Sequence, residues 1–519
     1  MPASRLRRSH TDTATAEPEP GPAPSARRAG PSDRNTQYSE HVSQTEIEPF
    51  AIILAAGLGT RMKSRVPKVL HPLLGRPMLS WVLDAARDGA GSRRPIVVHS
   101  PATDAVRERY ADEATLALQS EPIGTGDAVR AGLAALPEDA TEVVVMNGDI
   151  PLVQGAVVRD LVELRRELGA HVAFATTVTD DPGRLGRVVR DDECEVERIV
   201  EAKDATDEEL DGNEVNAGLY AFDAAWLRRR IGDLTPSVAT GELYLTDLIS
   251  FAREDGIPAV ALLVPDDGAL LGVNDRAELA DAEARLRMRI NSEWMLAGVS
   301  MEDPTTVYID STVELAQDVR IEPNVILRGQ TRIGTGTVLG AGTQIIDSIV
   351  GADCRVWASI LESSEVEDEV QIGPFAHLRP GASIGRKAKL GNFAEVKKSR
   401  IGPGVQQHHF SYIGDAEVGE GTNIGAGTVT ANYDGVAKHR TAIGKRVFIG
   451  SDSMLIAPLT IGDDARTGAG SVVTKNVAAG VTVVGVPARP TIGGSRHARP
   501  AAPAPDRGDG TDPAAEKRP

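Results

Sequence analysis

The stretch LAAGLGTRMKSRVPKVLH, Leu54 to His71, follows the apolar run FAIILAA and carries two glycines, Arg61 and Lys68. A Gly-rich turn after a strand lets backbone N–H groups approach a phosphate, and Arg61 and Lys68 add positive charge. The spacing matches neither G-x-x-x-x-G-K-[ST] nor G-x-G-x-x-G, so the turn alone identifies no nucleotide. Downstream, LQSEPIGTGDAV supplies Gln119 and a second Gly-rich turn, Gly124 to Gly126, while VVVMNGD ends an apolar run on Asp149. A carboxylate at the C-terminal end of a central parallel strand lies where open α/β sheets bind ligands. Asp149 is therefore a candidate for holding Mg²⁺, which takes a few carboxylate or carbonyl oxygens beside substrate phosphates. The competing reading is a helix cap or turn Asp.

A second group of reactive side chains lies far along the chain: His408, His409, Tyr412, Asn432, Tyr433 and Lys438, with Arg379, Asn392, Glu395 and Lys397 before them. A neutral His is the side chain best matched to accept a proton near pH 7. Arg379 and Lys397, two cations expected on one face, suit a phosphate.

Different scaffolds must position the two groups. From Phe50, the apolar runs FAIILAA, PIVVHS, EVVVMNGD and HVAFATTV alternate with helical stretches such as PMLSWVLDAARDGA and GDAVRAGLAALPEDA. That pattern implies a parallel sheet covered on both faces, an α/β domain over residues 48–277. RAELADAEARLRMRINSEWMLAGV reads as a connecting helix within a linker at 278–303. Over 304–491 the apolar period becomes six: Ile309, Leu315, Ile321, Leu327, Ile333, Leu339 and Ile345, then Ile372, Leu378, Ile384, Leu390 and Val396, then Ile443, Ile449, Leu455 and Ile461. Neither a helix nor a simple strand has that period; a parallel β-helix does, one hexad per side of a triangular coil of roughly 18 residues. A coil of that length sets Arg379 and Lys397 one strand spacing apart. The period breaks at Gln407, where an aliphatic residue is expected, and across TANYDGVAKHRTA; both breaks are expected to emerge as loops on a binding face.

The chain has 519 residues, enough for two or three domains. A net charge of -18 and a pI near 5.1 exclude tracking of a nucleic-acid backbone as the main activity. Cys194 and Cys354 are far apart, which fits a reducing cytoplasm and no disulfide framework. No run approaches the roughly 20 apolar residues of a membrane span. Residues 1–47 and 492–519, biased to Pro, Ala, Arg and Asp, read as disordered tails, and the first has no apolar core of a secretion signal.

LAAGLGTRM…PKVL, Q…GTG, NGD, GRVVR, IVEAKDAT, EVNAGLY and LLGVNDRAEL, in this order, resemble sugar-1-phosphate nucleotidyltransferases. The resemblance covers residues 48–490 and is strongest to the bacterial family that joins a UDP-N-acetylglucosamine pyrophosphorylase to a glucosamine-1-phosphate N-acetyltransferase. It implies a Rossmann-like α/β nucleotidyltransferase domain followed by a left-handed hexapeptide-repeat β-helix. It also implies a cytoplasmic homotrimer of the peptidoglycan pathway with acyl-CoA sites between subunits, and UTP, acetyl-CoA and Mg²⁺ as cosubstrates and cofactor. By that resemblance Leu54, Ala55, Ala56, Gly57 and Gln119 meet the uridine, with Gly124 and Thr125 beside it. Arg61 and Lys68 bind phosphate, and Asp149 and Asn274 hold Mg²⁺. Asn147 and Gly148 join the nucleotide-sugar site, and Gly186, Glu201 and Asn216 line the N-acetylglucosamine pocket. On the β-helix, His409 is implied as general base with Glu395 as candidate orienter. Arg379, Lys397, Tyr412, Asn423 and Lys438 are implied for glucosamine 1-phosphate, and Ala426, Asn432, Tyr433, Ser451 and Ala469 for acetyl-CoA. Three positions depart from the family pattern: Leu58, often Lys or Pro; Asn147, Tyr in some; and Gly485, where relatives can carry Arg before Val-Pro.

Two rivals stand beside this reading. One is a single-activity sugar-1-phosphate nucleotidyltransferase whose β-helix is structural or regulatory, against which His409 and the ANYDG loop argue. The other is a binding scaffold without turnover.

Overall fold

The computed structural model describes residues 49–491, apart from 266, 267, 269 and 271. The tails expected at 1–47 and 492–519 lie outside the described residues.

Nine strands form the first sheet: β1 (Phe50–Leu54), β2 (Ile96–His99), β3 (Thr115–Leu118), β4 (Glu142–Asn147), β5 (Val172–Val178), β6 (Arg187–Arg190), β7 (Val196–Val200), β8 (Glu214–Asp223) and β9 (Val260–Leu263). Their order is β9-β5-β8-β4-β1-β2-β3, with β6 and β7 attached at β8. Successive side chains of a strand point to opposite faces, and β1 is apolar on both: Ala51 and Ile53 enter one core, Ile52 the other. Helices α1 (Met78–Ala90) and α3 (Gly155–Glu167) cover the first face, α2 (Thr125–Leu133) and α4 (Asp247–Glu254) the second.

The sheet is mixed, which corrects the expectation of a purely parallel one. β8 runs antiparallel to both β4 and β5. Between β5 and β8 the chain makes the antiparallel β6–β7 pair and a four-residue helix, Asp207–Leu210, with no long crossover helix of the kind a parallel return needs.

Helix α5 (Arg276–Leu296) starts on the Asp275 side chain, which accepts from the Ala277 and Glu278 N–H groups. Strand pairing of the solenoid begins at Ser300, and three ladders of short strands follow, parallel throughout except for the last pair, Thr482–Val484 with Arg489–Pro490. Every residue of the period-six series is buried, in one continuous core. That core reaches into the α/β elements through Leu73, Leu74, Met78, Leu152 and Val273. Among the described residues no helix is long and apolar enough to cross a membrane.

The two breaks in the period differ. Asn432 to Arg440 does leave the coil as a loop, with an antiparallel bridge between Tyr433 and Lys438. Gln407 does not: it stays in register beside Leu390, fully buried in the column of inward residues, so the loop expected there is absent.

Candidate functional site

The C-terminal ends of β1 and β4 lie side by side, Leu54 opposite Asn147, and the Gly148 N–H donates to the Leu54 carbonyl at 2.9 Å. Asp149 follows directly, and its carbonyl accepts from the Val273 N–H, which brings Asn274 beside it. Lys68 sits on a short 3₁₀ turn, Lys68–Leu70, and its ammonium donates to Asp149 Oδ2 and, at 3.2 Å, to Asn274 Oδ1. Arg61 donates to the same Asn274 oxygen at 2.8 Å. Two oxygens from distant segments thus converge on one cation.

Arg61, Asp149 and Asn274 of this cluster form one wall of a cavity of about 830 Å³. Arg61, Thr125, Asn147, Asp149, Gly186, Glu201, Asn216 and Asn274 line it. A bulge in β8 shapes the far wall: Asn216 Nδ2 donates to the Tyr220 hydroxyl at 2.7 Å, and Asn216 Oδ1 accepts from the Gly218 N–H at 3.1 Å. Gly218, at φ +71°, faces the Asn147 amide so closely that a Cβ there would strike Nδ2. Glu201 accepts from the Thr246 hydroxyl at 3.0 Å; burial pushes its carboxyl up, and Asp247, Asp204 and Glu242 add to that push.

Leu54, Ala55, Ala56, Gly57, Lys68, Gln119, Gly124 and Gly148 lie outside that lining. Ala55 and Ala56 are held at the sheet top, the Ala55 N–H donating to Val98 and the Ala56 carbonyl accepting from Ser100. Gln119 is buried, and its Nε2 donates to the Gly124 carbonyl at 3.1 Å and to Asp127 Oδ2 at 2.9 Å.

On the solenoid, strand register makes the second arrangement. Glu395 pairs with Tyr412, and Lys397 with Gly414. The Arg379 N–H donates to the Val396 carbonyl, which puts Arg379 beside Lys397 as the coil length predicts. Gly414 gives the Tyr412 ring its place, since a Cβ there would strike the phenol. Lys438 returns from the Asn432–Arg440 loop to this face: its ammonium, then Arg379, depresses the Lys397 amine below the usual lysine range. Asp434 stiffens the loop by accepting from the Val436 and Ala437 N–H groups and facing His439 at 2.6 Å; these contacts drive its carboxyl far below the usual range.

His409 stands at the corner between two ladders. The register that pairs Gln406 with Asn423 and Phe448 with Arg466 stacks His409, Ala426, Ser451 and Ala469 in one column along that corner. Asn432 is turned inward to Asp415, at 2.5 Å, while Tyr433 is exposed and its hydroxyl donates to the Gly435 carbonyl.

Comparison with known proteins agrees with both halves. Residues 51–203 match the MobA-like NTP transferase domain family, and residues 440–475 match the hexapeptide repeat of succinyl-transferase. The chain is 46% identical over 433 residues to the bifunctional protein GlmU of Pelobacter propionicus, covering 83% of this chain and 94% of that protein. It is 45% identical over 467 residues to that of Kineococcus radiotolerans, covering 89% and 95%. To that of Mycobacterium tuberculosis it is 43% identical over 461 residues, covering 87% and 93%. The chain belongs to the bifunctional GlmU family.

A GlmU-family chain is a bifunctional transferase, a nucleotidyltransferase joined to a left-handed hexapeptide-repeat acetyltransferase, and here each half departs from the sequence reading in places. Glu395 is engaged by Arg379, at 2.9 Å, so its carboxylate holds the guanidinium and not His409. Asn423 lies on the ladder of Gln406 and Phe448, a different ladder from Arg379, Lys397 and Tyr412. Gly485 has φ +97° in the terminal hairpin, where Arg489 pairs with Val484. An Arg at 485 would be strained, which gives the departure a backbone cause. Leu58 is exposed and nothing in the structure explains it. Tyr220 and Thr246 line the first cavity although sequence reading passed over them. Tyr220 lies within the EVNAGLY motif four residues after Asn216, and that spacing across a bulge is the signal that would have found it.

Proposed function

We infer that the two sites act in turn on one sugar. The β-helix transfers the acetyl group of acetyl-CoA to the amine of glucosamine 1-phosphate; the α/β domain then transfers UMP from UTP to N-acetylglucosamine 1-phosphate, releasing pyrophosphate. The observation that carries this is the presence of two separate cation clusters in one chain, Arg61 on the cavity wall with Lys68 sharing its Asn274 oxygen, and Lys397 with Arg379 and Lys438 on the solenoid, the second on the face of Tyr412, three residues after His409.

In the cavity, the sugar phosphate oxygen attacks the α-phosphorus of UTP. Lys68 and Arg61 spread the developing charge and align the two phosphates, work that needs positioning more than a base. Asp149 and Asn274 fit Mg²⁺: they offer one carboxylate and one amide oxygen that already converge on a single cation, the Lys68 ammonium. Bound there, Mg²⁺ would neutralise phosphate charge while Lys68 turns to the phosphates. Gln119 reads the base. Both hydrogens of its Nε2 are spent on acceptors, which leaves Oε1 to accept from a ring N–H; N3 of uracil has one and N3 of cytosine does not. Glu201, Asn216 and Gly186 border the sugar.

On the solenoid, Arg379, Lys397 and Lys438 hold the sugar phosphate, and Tyr412 packs beside it. His409 takes the proton as the amine nitrogen bonds to the acetyl carbon and the C–S bond breaks, giving CoA thiol. The column of Ala426, Ser451 and Ala469 offers small residues along which acetyl-CoA lies, with Asn432 and Tyr433 at its side. Asn423, on a separate ladder, would meet a sugar phosphate held on a neighbouring copy in a homotrimer built through the β-helix. Phe375, Phe393 and Phe410 follow one another as exposed rings at the same corner of successive coils, the first two stacked at 5.4 Å, and suit such a contact. The setting is a cytoplasmic supply of UDP-N-acetylglucosamine for the cell wall, with small molecules and no nucleic acid as partners.

A two-part assay tests this. Acetyl-CoA with glucosamine 1-phosphate should release free CoA thiol, and UTP, Mg²⁺ and N-acetylglucosamine 1-phosphate should release pyrophosphate. Pyrophosphate without CoA would leave the β-helix structural, and neither product would make the chain a scaffold.

A further inference from the structure

The buried Gln407 has work that an aliphatic residue cannot do. It sits beside Leu390 inside the coil, immediately before the two histidines. Its Nε2 donates to Ser411 Oγ at 2.9 Å, and Ser411 Oγ donates to the His409 carbonyl at 2.9 Å. A serine hydroxyl has one hydrogen, so with that hydrogen on His409 the amide must be the donor. Gln407 Oε1 is left buried without a partner.

Other coils turn this corner differently. Thr428 donates to Gly425, Ser453 to Gly450 and Ser471 to Gly468, each at 2.7 Å. Ser359 donates to Trp357 at 2.8 Å. In the first three the acceptor holds the place that His408 holds in its own coil; the corner at Ser359 is one residue shorter, so its bond spans the same two residues as that of Ser411 to His409. Among the four-residue corners only Ser411 bonds the second residue, His409. A polar inward neighbour does not by itself cause the shift: Ser453 keeps its bond to Gly450 with Thr467 Oγ1 only 2.9 Å away.

We propose that Gln407 and Ser411 are positioning residues for acetyl transfer: together they draw the His409 carbonyl toward the coil interior and so fix the peptide that carries the imidazole. The coil bears a buried, unpaired oxygen in return, a cost that leucine would remove. The proposal rests on His409 as the base.

The test uses the full chain and its two assays. Gln407→Leu and Ser411→Ala should each lower kcat for acetyl transfer about 10- to 100-fold, the scale of a misplaced catalytic group, with KM for both substrates unchanged. Pyrophosphate release should be unaffected, Gln407→Leu should melt no lower than the parent, and Ser411→Thr, which keeps the hydroxyl, should retain kcat. An unchanged kcat in Gln407→Leu, or a loss that comes with a raised KM or a lowered Tm, overturns the positioning role. His409→Ala separates the two readings: if it keeps the parent kcat, the base assignment fails; if it loses activity while Gln407→Leu does not, only the positioning proposal fails.

Discussion

Both proposed sites would hold a sugar phosphate, yet their charges are arranged differently. Beside the cavity, Lys68 is already paired with Asp149, and Arg61, which donates to the neutral Asn274 amide, lies within electrostatic reach of the Asp275 carboxylate, so each cation has an acid near it before any ligand arrives. On the solenoid, Lys397, Lys438 and Arg379 face one another, and Glu395 answers only Arg379. A balanced cluster can exchange its internal partner for a metal and phosphates; a repelling one is relieved by a single anion. The first arrangement suits a reaction in which charge moves between two phosphates, the second a reaction in which the phosphate is only a handle.

The comparison breaks most sharply where proton transfer is involved. His409→Ala should reduce CoA release about 10²- to 10⁴-fold, the range of a lost general base, while pyrophosphate release is untouched. Loss of both activities would mean that the sites are not independent. Next in size is Asp149→Ala, which should reduce pyrophosphate release about 10²- to 10³-fold and leave CoA release alone. Because Asp149 also partners Lys68, Mg²⁺ titration separates the two roles: a variant rescued by excess Mg²⁺ has lost metal affinity, and one that is not has lost the placement of Lys68.

Lys397 sharpens the contrast in charge. Lys397→Ala should raise KM for glucosamine 1-phosphate about 10-fold or more with a smaller change in kcat, since a phosphate contact acts in ground and transition states alike. The neighbouring cations depress the Lys397 amine, so it loses its proton at lower pH than an ordinary lysine, and KM should rise on the alkaline side earlier than an unperturbed lysine would allow. Lys397→Arg keeps its charge and should flatten that limb. Lys438→Met, by removing the first source of repulsion, should move it to higher pH. A KM profile between pH 7 and 10 that is the same in all three enzymes would remove Lys397 from the phosphate site.

The solenoid was readable because its period-six signal is a packing requirement: Ile309 through Ile461 face inward because each coil has room for one aliphatic residue per side. The same reasoning misplaced Gln407. A polar residue inside a coil and one that begins a loop interrupt the period identically, and only the unchanged register with Leu390 distinguishes them. In the α/β half, β1 and β4 were evident from continuous apolar runs, whereas β8 reads the same whether it is parallel or antiparallel; direction came from the missing crossover helix. Asp149 and Asn274 are 125 residues apart, and no local rule joins them; the ordered motifs did. Tyr220 and Thr246 stayed hidden because a strand aromatic and a helix-start threonine are ordinary structural residues until the cavity gathers them.

The smallest effect concerns the wall of the cavity. Burial raises the Glu201 carboxyl above its ordinary value, so the folded protein binds that proton more tightly than the unfolded chain does. The stability contributed by that proton is present below the unfolded carboxyl pKa of about 4.3 and is lost as pH rises through the raised folded value. At neutral pH the buried carboxylate therefore destabilises the fold, with Thr246 its only hydrogen-bond donor among the described residues. Glu201→Gln should raise Tm by up to a few degrees at pH 7 to 8, and the gain should shrink as the pH approaches 4 to 5. The same variant should bind N-acetylglucosamine 1-phosphate less tightly, because a carboxylate accepts hydrogen bonds from sugar hydroxyl or amide groups more strongly than an amide does. Saturating nucleotide sugar should then stabilise the parent more than the variant, since ligand donors offset the cost of the buried charge. Equal ligand-induced shifts in Tm would place Glu201 outside the sugar pocket and leave it a purely structural acid.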